Sequence, residues 1–82
     1  MNKILVDIYI PSMNKSFDVY LPLTNKIYEI EKLLAEAFKD LSDGYFTTND
    51  PVLCDRETGT ILDINKSAWE LELKNGSKLM LI

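Results

Sequence analysis

Two runs of alternating apolar residues at the start of the chain constrain its fold more than any other feature. In residues 3–10 every second side chain is a branched aliphatic, and an alternation returns in residues 16–21. A period of two is typical of strands that bury one face, and residues 11–15 between the runs have turn-forming composition. The sequence therefore predicts an antiparallel hairpin. Its core-facing side chains are expected to be Ile4, Val6, Ile8, Ile10, Phe17, Val19 and Leu21.

Charge helps to choose the register of this hairpin. In one register Asp7 lies directly opposite Asp18, and like charges in that position are destabilising. A shift of two residues instead pairs Tyr9 with Asp18 and Asp7 with Tyr20. We therefore predict the shifted register.

A change of hydrophobic period after Pro22 indicates an amphipathic helix of about four turns. Thr24 or Asn25 can cap its start, and Gly44 suits the left-handed conformation that is common after helix ends. The core face is expected to carry Ile27, Ile30, Leu34, Ala37, Phe38 and Leu41. The solvent face is expected to carry Glu29, Glu31, Lys32, Glu36, Lys39 and Asp40.

Shorter elements are predicted in the second half of the chain. Residues 52–55 and 60–62 indicate two short strands around a turn in which Gly59 can take a positive φ. The Asn75-Gly76 pair is a strong turn signal, and the strand that follows it has Leu79 and Leu81 on one face.

Aromatic residues and a capping motif mark two places near these strands. Ser67 and Glu70 match a capping box and predict a short helical turn. Trp69 is expected to anchor that turn to the core, with a surface hot spot as the alternative. Tyr45 and Phe46 are expected to fold back over the helix end or an open edge of the core, with ligand contact as the alternative.

Composition excludes several classes of function. The chain has 82 residues, predicted to form a single domain over 1–82, with 9 basic and 13 acidic residues and a net charge of −4. No cationic cluster is present, so nucleic acid is not an expected partner. The chain has no histidine, no glycine-rich phosphate loop and no nucleophile motif, so we expect no catalytic residues, no enzymatic activity and no cofactor.

Metal binding, export and membrane insertion are also not expected. Asp40, Asp43 and Asp50 lack the spacing of a calcium loop, so no metal site is assigned. Cys54 is the single cysteine and is expected to be a buried filler, which fits a reducing cytoplasm. No apolar run is long enough to enter a membrane.

The predicted order of elements is that of an α+β domain in which a mixed sheet curls around one main helix, the β-grasp arrangement. The chain resembles the bacterial ubiquitin-like YukD/EsaB family. The resemblance rests on Leu21-Pro22 leading into a helix near Ile27, and on residues 73–81, where an aliphatic residue, Asn-Gly, a polar pair and a Leu-x-Leu strand follow one another. It implies a ubiquitin-like, non-enzymatic and cytoplasmic accessory or regulatory component of the type VII secretion system of Gram-positive bacteria.

Two other functions fit the sequence less well. A ubiquitin-like modifier or sulfur carrier needs a flexible arm that ends in glycine, and the sequence ends on Leu81-Ile82 instead, so we expect no conjugation. An inhibitor that mimics nucleic acid would need arrayed negative charge, and the acidic residues here are dispersed.

A protein partner is expected on the sheet face opposite the helix, and the resemblance implies a component of the secretion machinery. Tyrosine, methionine and aliphatic side chains have the composition that protein interfaces favour. The alternative is an ordinary sheet exterior. The chain is expected to be a monomer or a weak homodimer, since the edge of strand two could pair with another chain. The predicted contact residues are Leu5, Tyr9, Tyr20, Met80 and, if Val52 and Cys54 point inward, Leu53.

Overall fold

A computed structural model describes residues 2–42, 44 and 50–82, which form one α-helix and a four-stranded sheet. The sheet has the order β2-β1-β4-β3. Strand β1 is antiparallel to β2 and parallel to β4, and β4 is antiparallel to β3. The predicted α+β architecture with a mixed sheet and a central last strand is confirmed. The elements are β1 (Lys3–Ile10), β2 (Lys15–Pro22), α1 (Ile27–Leu41), β3 (Leu53–Asp55) and β4 (Lys78–Leu81).

Alternate side chains of the hairpin form one wall of the core, as predicted. The four aliphatic residues on this face of β1 are at most 7% exposed, and Leu21 of β2 is buried with them. Phe17 and Val19 are half-buried and pack against the margin of the core. The ring of Phe17 lies 5.0 Å from that of Phe38 in α1, between centroids, so an aromatic pair joins β2 to the helix.

The hairpin has the register that like charges were expected to prevent. Asp7 lies opposite Asp18 in an unbroken ladder of eight residue pairs. The predicted pairing of Tyr9 with Asp18 is therefore wrong. Arg56 supplies the reason, because its Nη2 atom lies 2.8 Å from Oδ1 of Asp7 and offsets the negative charge there.

The helix has the predicted extent but a different cap. Lys26 is the N-cap residue, after the predicted Thr24 and Asn25, and its backbone N–H donates to the carboxylate of Glu29 at 3.1 Å. Beyond the helix Gly44 has φ +82°, which confirms the left-handed conformation expected there.

The two faces of the helix differ from the prediction at three positions. Ala37 and Leu41 are exposed instead of buried, and Leu41 is 69% exposed. Glu31 was expected in solvent, but it is only 8% exposed. Its Oε2 atom accepts a hydrogen bond from the backbone N–H of Leu53 at 2.9 Å, which holds the carboxylate between α1 and β3. The rest of the predicted core face is buried and consists of Ile27, Ile30, Leu34 and Phe38.

Of the two predicted short strands, only the first forms a ladder. Residues 60–62 touch β3 through an isolated bridge between Ile61 and Cys54. Gly59 between them has φ +74°, as the predicted turn requires. This segment therefore covers the edge of β3 that points away from β4, but it does not form a strand.

The capping box and the Asn-Gly turn are confirmed. The Ser67 N–H donates to Glu70 Oε1 at 3.0 Å, and the Glu70 N–H donates to Ser67 Oγ at 3.1 Å. Gly76 has φ +88° in the turn before β4. The anchoring role expected for Trp69 is wrong, because Trp69 is 70% exposed and the neighbouring Ala68 fills the core in its place. Tyr45 and Phe46 lie outside the described residues.

Candidate protein-interaction face

The face of the sheet turned away from α1, here called the outer face, carries four of the predicted contact residues. Leu5, Tyr9 and Met80 are half-buried there, and Tyr20 is 65% exposed. These placements follow from alternation, since their neighbours in each strand point to the core. Tyr20 is therefore the side chain on this face that is most available to a partner.

Leu53 does not belong to the outer face, and its prediction as a contact residue is wrong. It pairs with Leu81 of β4, and both side chains are fully buried in the core. Alternation along β3 turns the neighbouring Cys54 outward instead, where Met80 and Ile61 are its cross-strand neighbours. Cys54 is 2% exposed, and burial together with the charge of Glu31 raises the pKa of its thiol. The expectation of a buried filler at Cys54 is confirmed.

Tyr20 and Leu5 are direct cross-strand neighbours and together form the apolar part of a surface depression. The rim is fixed by Asn75, whose Oδ1 atom accepts a hydrogen bond from the Leu5 N–H at 2.8 Å. The depression offers apolar contact beside one ammonium and two carboxylates. Its lining residues are Lys3, Leu5, Val6, Asp7, Asp18, Tyr20, Asn75 and Gly76.

Tyr9 and Met80 form a second pair on the outer face, across β1 and β4. The hydroxyl of Tyr9 donates to Asn14 Oδ1 at 2.9 Å. The guanidinium carbon of Arg56 lies 5.7 Å from the centroid of the Tyr9 ring, within cation–π range. Tyr9 is thus held at both its hydroxyl and its ring and acts as a fixed part of the surface.

Arg56 links the Tyr9 ring to Asp7 at the depression, and it was not predicted as a site residue. Its Nη2 atom donates to the carboxylate of Asp7 at 2.8 Å and to the backbone carbonyls of Asp7 and Leu79, each at 3.0 Å. The bond from Arg56 holds the pKa of Asp7 below its ordinary value. Because Arg56 follows β3 and lies far from Asp7 in sequence, no local pattern reports this contact.

A separate depression surrounds Trp69 near the capping box. Trp69 is fixed through its backbone, since its N–H donates to the carbonyl of Leu23 at 2.9 Å, while its side chain is in solvent. The exposure of Trp69 is therefore compatible with the alternative prediction of a surface hot spot. The depression is lined by Lys66, Trp69, Glu70, Glu72 and Leu73.

Neither a metal-binding cluster nor a membrane-spanning helix is found in the described part of the chain. Within residues 2–42, 44 and 50–82, no group of three or more cysteine or carboxylate side chains could hold a metal ion. The helix in this part of the chain is not long and apolar enough to cross a membrane.

Solved structures share this fold closely, whereas no protein-family model and no curated protein matches the chain. The EccD5 ubiquitin-like domain from Mycobacterium xenopi has a TM-score of 0.81 at 20% identity, over 100% of this chain and 94% of its own. The ubiquitin-like domain of the Mycobacterium tuberculosis type VII secretion system protein ECCD1 has a TM-score of 0.80 at 15% identity, over 100% and 99%. The chain has a ubiquitin-like fold.

A third similar structure is part of a much longer chain. In the MycP5-free ESX-5 inner membrane complex, one chain matches all of this protein with a TM-score of 0.83 at 13% identity. This protein covers 21% of that chain. At these identities the likeness is one of fold, and the ubiquitin-like architecture predicted from the sequence is confirmed.

Proposed function

We propose that this protein is a non-enzymatic, cytoplasmic adaptor of the YukD/EsaB type that binds a protein component of a type VII secretion system. The outer face is the proposed binding surface, with Tyr20 and Leu5 at its centre. Binding, without conjugation or catalysis, is the proposed mode of action.

The observation that carries this proposal is the exposure of Tyr20 on a rigid face. Tyrosine is enriched at binding hot spots because it offers a large contact area and a hydroxyl at little cost in conformational entropy. Asn75 fixes the backbone of Leu5, and Arg56 ties β1 to β4 beside it. A face that is already ordered loses little further entropy on binding.

The choice of a secretion component rests on resemblance and on fold neighbours together. The closing residues 73–81 resemble those of the YukD/EsaB family. Two of the similar structures are ubiquitin-like domains of EccD5 and of ECCD1, the latter named as a type VII secretion system protein. The ubiquitin-like fold by itself hosts many functions, so the assignment needs a direct binding test.

The test measures binding of the purified protein to a purified type VII inner-membrane complex from the same organism. Tyr20→Ala should weaken binding by about tenfold or more, as expected for a central hot spot. Tyr28→Ala is the matched control, because Tyr28 is also exposed, at 43%, but lies on the helix. Met80→Ser tests the second pair, with circular dichroism to check that each variant folds.

The outcomes separate the two parts of the proposal. Equal binding by wild type and by folded Tyr20→Ala and Met80→Ser variants would reject the outer face as the binding surface. Failure of the wild-type protein to bind the complex would reject the assignment to type VII secretion.

A further inference from the structure

The two edges of the sheet differ in whether their backbone groups are bonded within the chain. At the edge of β3 that points away from β4, the Leu53 N–H donates to Glu31 at 2.9 Å. The Leu53 carbonyl accepts from the Leu62 N–H at 3.0 Å. The Asp55 N–H donates to the Thr60 carbonyl at 2.8 Å, and the Asp55 carbonyl accepts from the Gly59 N–H at 2.9 Å. This edge is closed to another strand.

Strand β2 forms the other edge of the sheet, and its outward groups can be assigned from the register. Leu23 continues the ladder with Asn2 and donates its N–H to the Asn2 carbonyl at 2.7 Å. Hydrogen-bonded pairs alternate in antiparallel ladders, so the odd-numbered residues of β2 bond to β1. The even-numbered residues Ser16, Asp18 and Tyr20 therefore point their N–H and C=O groups away from the sheet.

These outward groups have no hydrogen-bond partner among the described residues. The ladder with β1 runs through eight pairs without a bulge, so the edge is regular. Long regular edges are templates for another strand, and proteins usually block them with charges, bulges or covering segments. Here Asp18 is the one charged residue among the outward-pointing positions, and Pro22 lacks an N–H only at the end.

The helix also carries a stripe of exposed apolar side chains. Leu33, Ala37 and Leu41 recur every four residues along α1 and are exposed, Leu33 at 56%.

We infer that the β2 edge pairs with the β2 edge of a second copy of this chain, antiparallel and with the two-fold axis at Val19. Asp18 of each copy then lies opposite Tyr20 of the other. Both residues point their backbone groups outward, so each of the two pairs exchanges two N–H···O=C hydrogen bonds.

Side-chain chemistry favours this register over the one with its axis at Asp18. An axis at Asp18 would place two carboxylates directly opposite each other, which is destabilising. The axis at Val19 instead sets the acidic Asp18 beside the hydroxyl of Tyr20, an acceptor facing a donor, on the outer face. On the helix side it sets Phe17 opposite Leu21 and Val19 opposite its own copy. Of these two registers, only the one with its axis at Val19 makes the strand self-complementary.

Asp18→Pro tests the ladder, because it removes an N–H that the fold of the monomer does not use. Sedimentation equilibrium over a concentration series should show dimers of the wild-type chain, weakened about tenfold or more by Asp18→Pro. Asp18→Ala is the matched control that keeps the N–H and should still dimerise. Wild-type protein that stays monomeric up to about 1 mM, or dimers unaffected by Asp18→Pro, would overturn the inference.

Cysteine cross-linking tests the register and does not depend on the folding of the proline variant. Val19→Cys places two thiols across the axis in a non-hydrogen-bonded pair, where the Cα separation of about 4.5 Å permits a disulfide. Tyr20→Cys gives a more exposed thiol, but that thiol faces Asp18 of the other copy. The Val19→Cys variant should therefore cross-link faster than the Tyr20→Cys variant under mild oxidation. The wild-type chain, whose Cys54 is buried, should not cross-link.

The remaining outcomes would each overturn one part of the inference. Faster cross-linking of the Tyr20→Cys variant than of Val19→Cys would reject the register. Edge-dependent binding of a foreign peptide by a monomeric chain would reject the second copy as occupant.

Discussion

Two carboxylates, Glu31 on the helix side of the sheet and Asp7 on the outer face, have surroundings that shift their pKa values in opposite directions. Glu31 of α1 is buried with no ion pair to it among the described residues, and burial raises its pKa more than the bond from Leu53 lowers it. On the outer face the hydrogen bond from Arg56 lowers the pKa of Asp7. The helix side of the sheet is thus stabilised by apolar packing and tolerates one carboxylate as a tether, whereas on the outer face Asp7 is balanced by cations, first by Arg56 and then by Lys78 opposite it in β4.

The largest difference in stability is expected between removal of a buried aromatic ring of the core and removal of an exposed ring near the capping box. Phe38→Ala should lower the free energy of unfolding by about 3–5 kcal/mol, because Phe38 is 1% exposed and its loss leaves a cavity beside Phe17. Trp69→Ala should change it by about 0.5 kcal/mol or less, since Trp69 lies in solvent. Urea titrations followed by far-ultraviolet circular dichroism measure both values, and equal losses would contradict the burial described here.

The next largest effect is expected at the inner carboxylate. Glu31→Ala leaves the buried N–H of Leu53 without its acceptor and should cost about 1–3 kcal/mol. The accessibility of Cys54 reports locally on β3. This single thiol lies in the strand that the Glu31–Leu53 hydrogen bond restrains, and it is 2% exposed. Its labelling by a thiol reagent should accelerate in Glu31→Ala.

Glu31→Gln is the matched control for this prediction. Its amide oxygen can still accept the hydrogen bond from Leu53, so Cys54 should stay protected. Rapid labelling in the glutamine variant, or slow labelling in the alanine variant, would show that the tether does not hold β3.

A smaller loss of stability is expected when Arg56 on the outer face is replaced. Arg56→Ala removes the bonds to Asp7 and Leu79 and leaves Asp7 facing Asp18, with an expected cost of about 1–2 kcal/mol. Adding Asp7→Asn to this variant should recover part of the loss because the repulsion is removed. A double-mutant cycle on Arg56 and Asp7 measures their coupling, and additive costs would mean that the two side chains act independently.

The smallest effect is a difference in the direction of pH dependence. The low pKa of Asp7 stabilises the fold above the ordinary carboxyl pKa of about 4, and this contribution is lost as pH falls toward the depressed folded value. The raised pKa of Glu31 has the opposite sign, so the fold gains stability as pH falls through that raised value.

Comparison with neutral variants isolates each contribution. As pH falls from 7 to about 2, the stability of wild type relative to Asp7→Asn should decrease, chiefly below about pH 4, whereas its stability relative to Glu31→Gln should increase, chiefly above about pH 4. Urea unfolding of the three proteins across this range gives both slopes. Slopes of the same sign would contradict the assigned environments.

Local patterns predicted the hairpin faces, the helix and the turns because each depends on residues close in sequence. The capping box of Ser67 and Glu70 is a contact over three positions, and Gly44, Gly59 and Gly76 meet backbone requirements within single turns. These features could be read without knowing what the neighbouring strands carry.

The hairpin register was mispredicted because the deciding group lies elsewhere in the chain. Like charges at Asp7 and Asp18 are unfavourable for an isolated hairpin. Arg56 offsets the charge of Asp7, and it reaches this position only after β4 has placed it beside β1. The turn itself fits the observed register, with Asn14 in a left-handed conformation at φ +51°.

The candidate site was predicted in outline. The wrong predictions concern which side chains of a strand or turn are buried. Alternation placed Leu5, Tyr9, Tyr20 and Met80 on the outer face, as observed. For β3, with three residues, periodicity did not choose between Leu53 and Cys54, and both are buried. Trp69 was assigned to the core on residue type, but the core position beside it is filled by Ala68.

The order of apolar and polar residues along the chain determined which segments became strands and helix, because those periodicities describe the geometry of the backbone itself. Tertiary structure decided where charge could be tolerated. Whether Glu31 is desolvated, whether Asp7 meets a cation and whether an edge of the sheet is covered all depend on groups brought together from distant parts of the chain. The energies of such contacts depend on distance in space and on exclusion of water, and neither quantity is encoded in the local pattern.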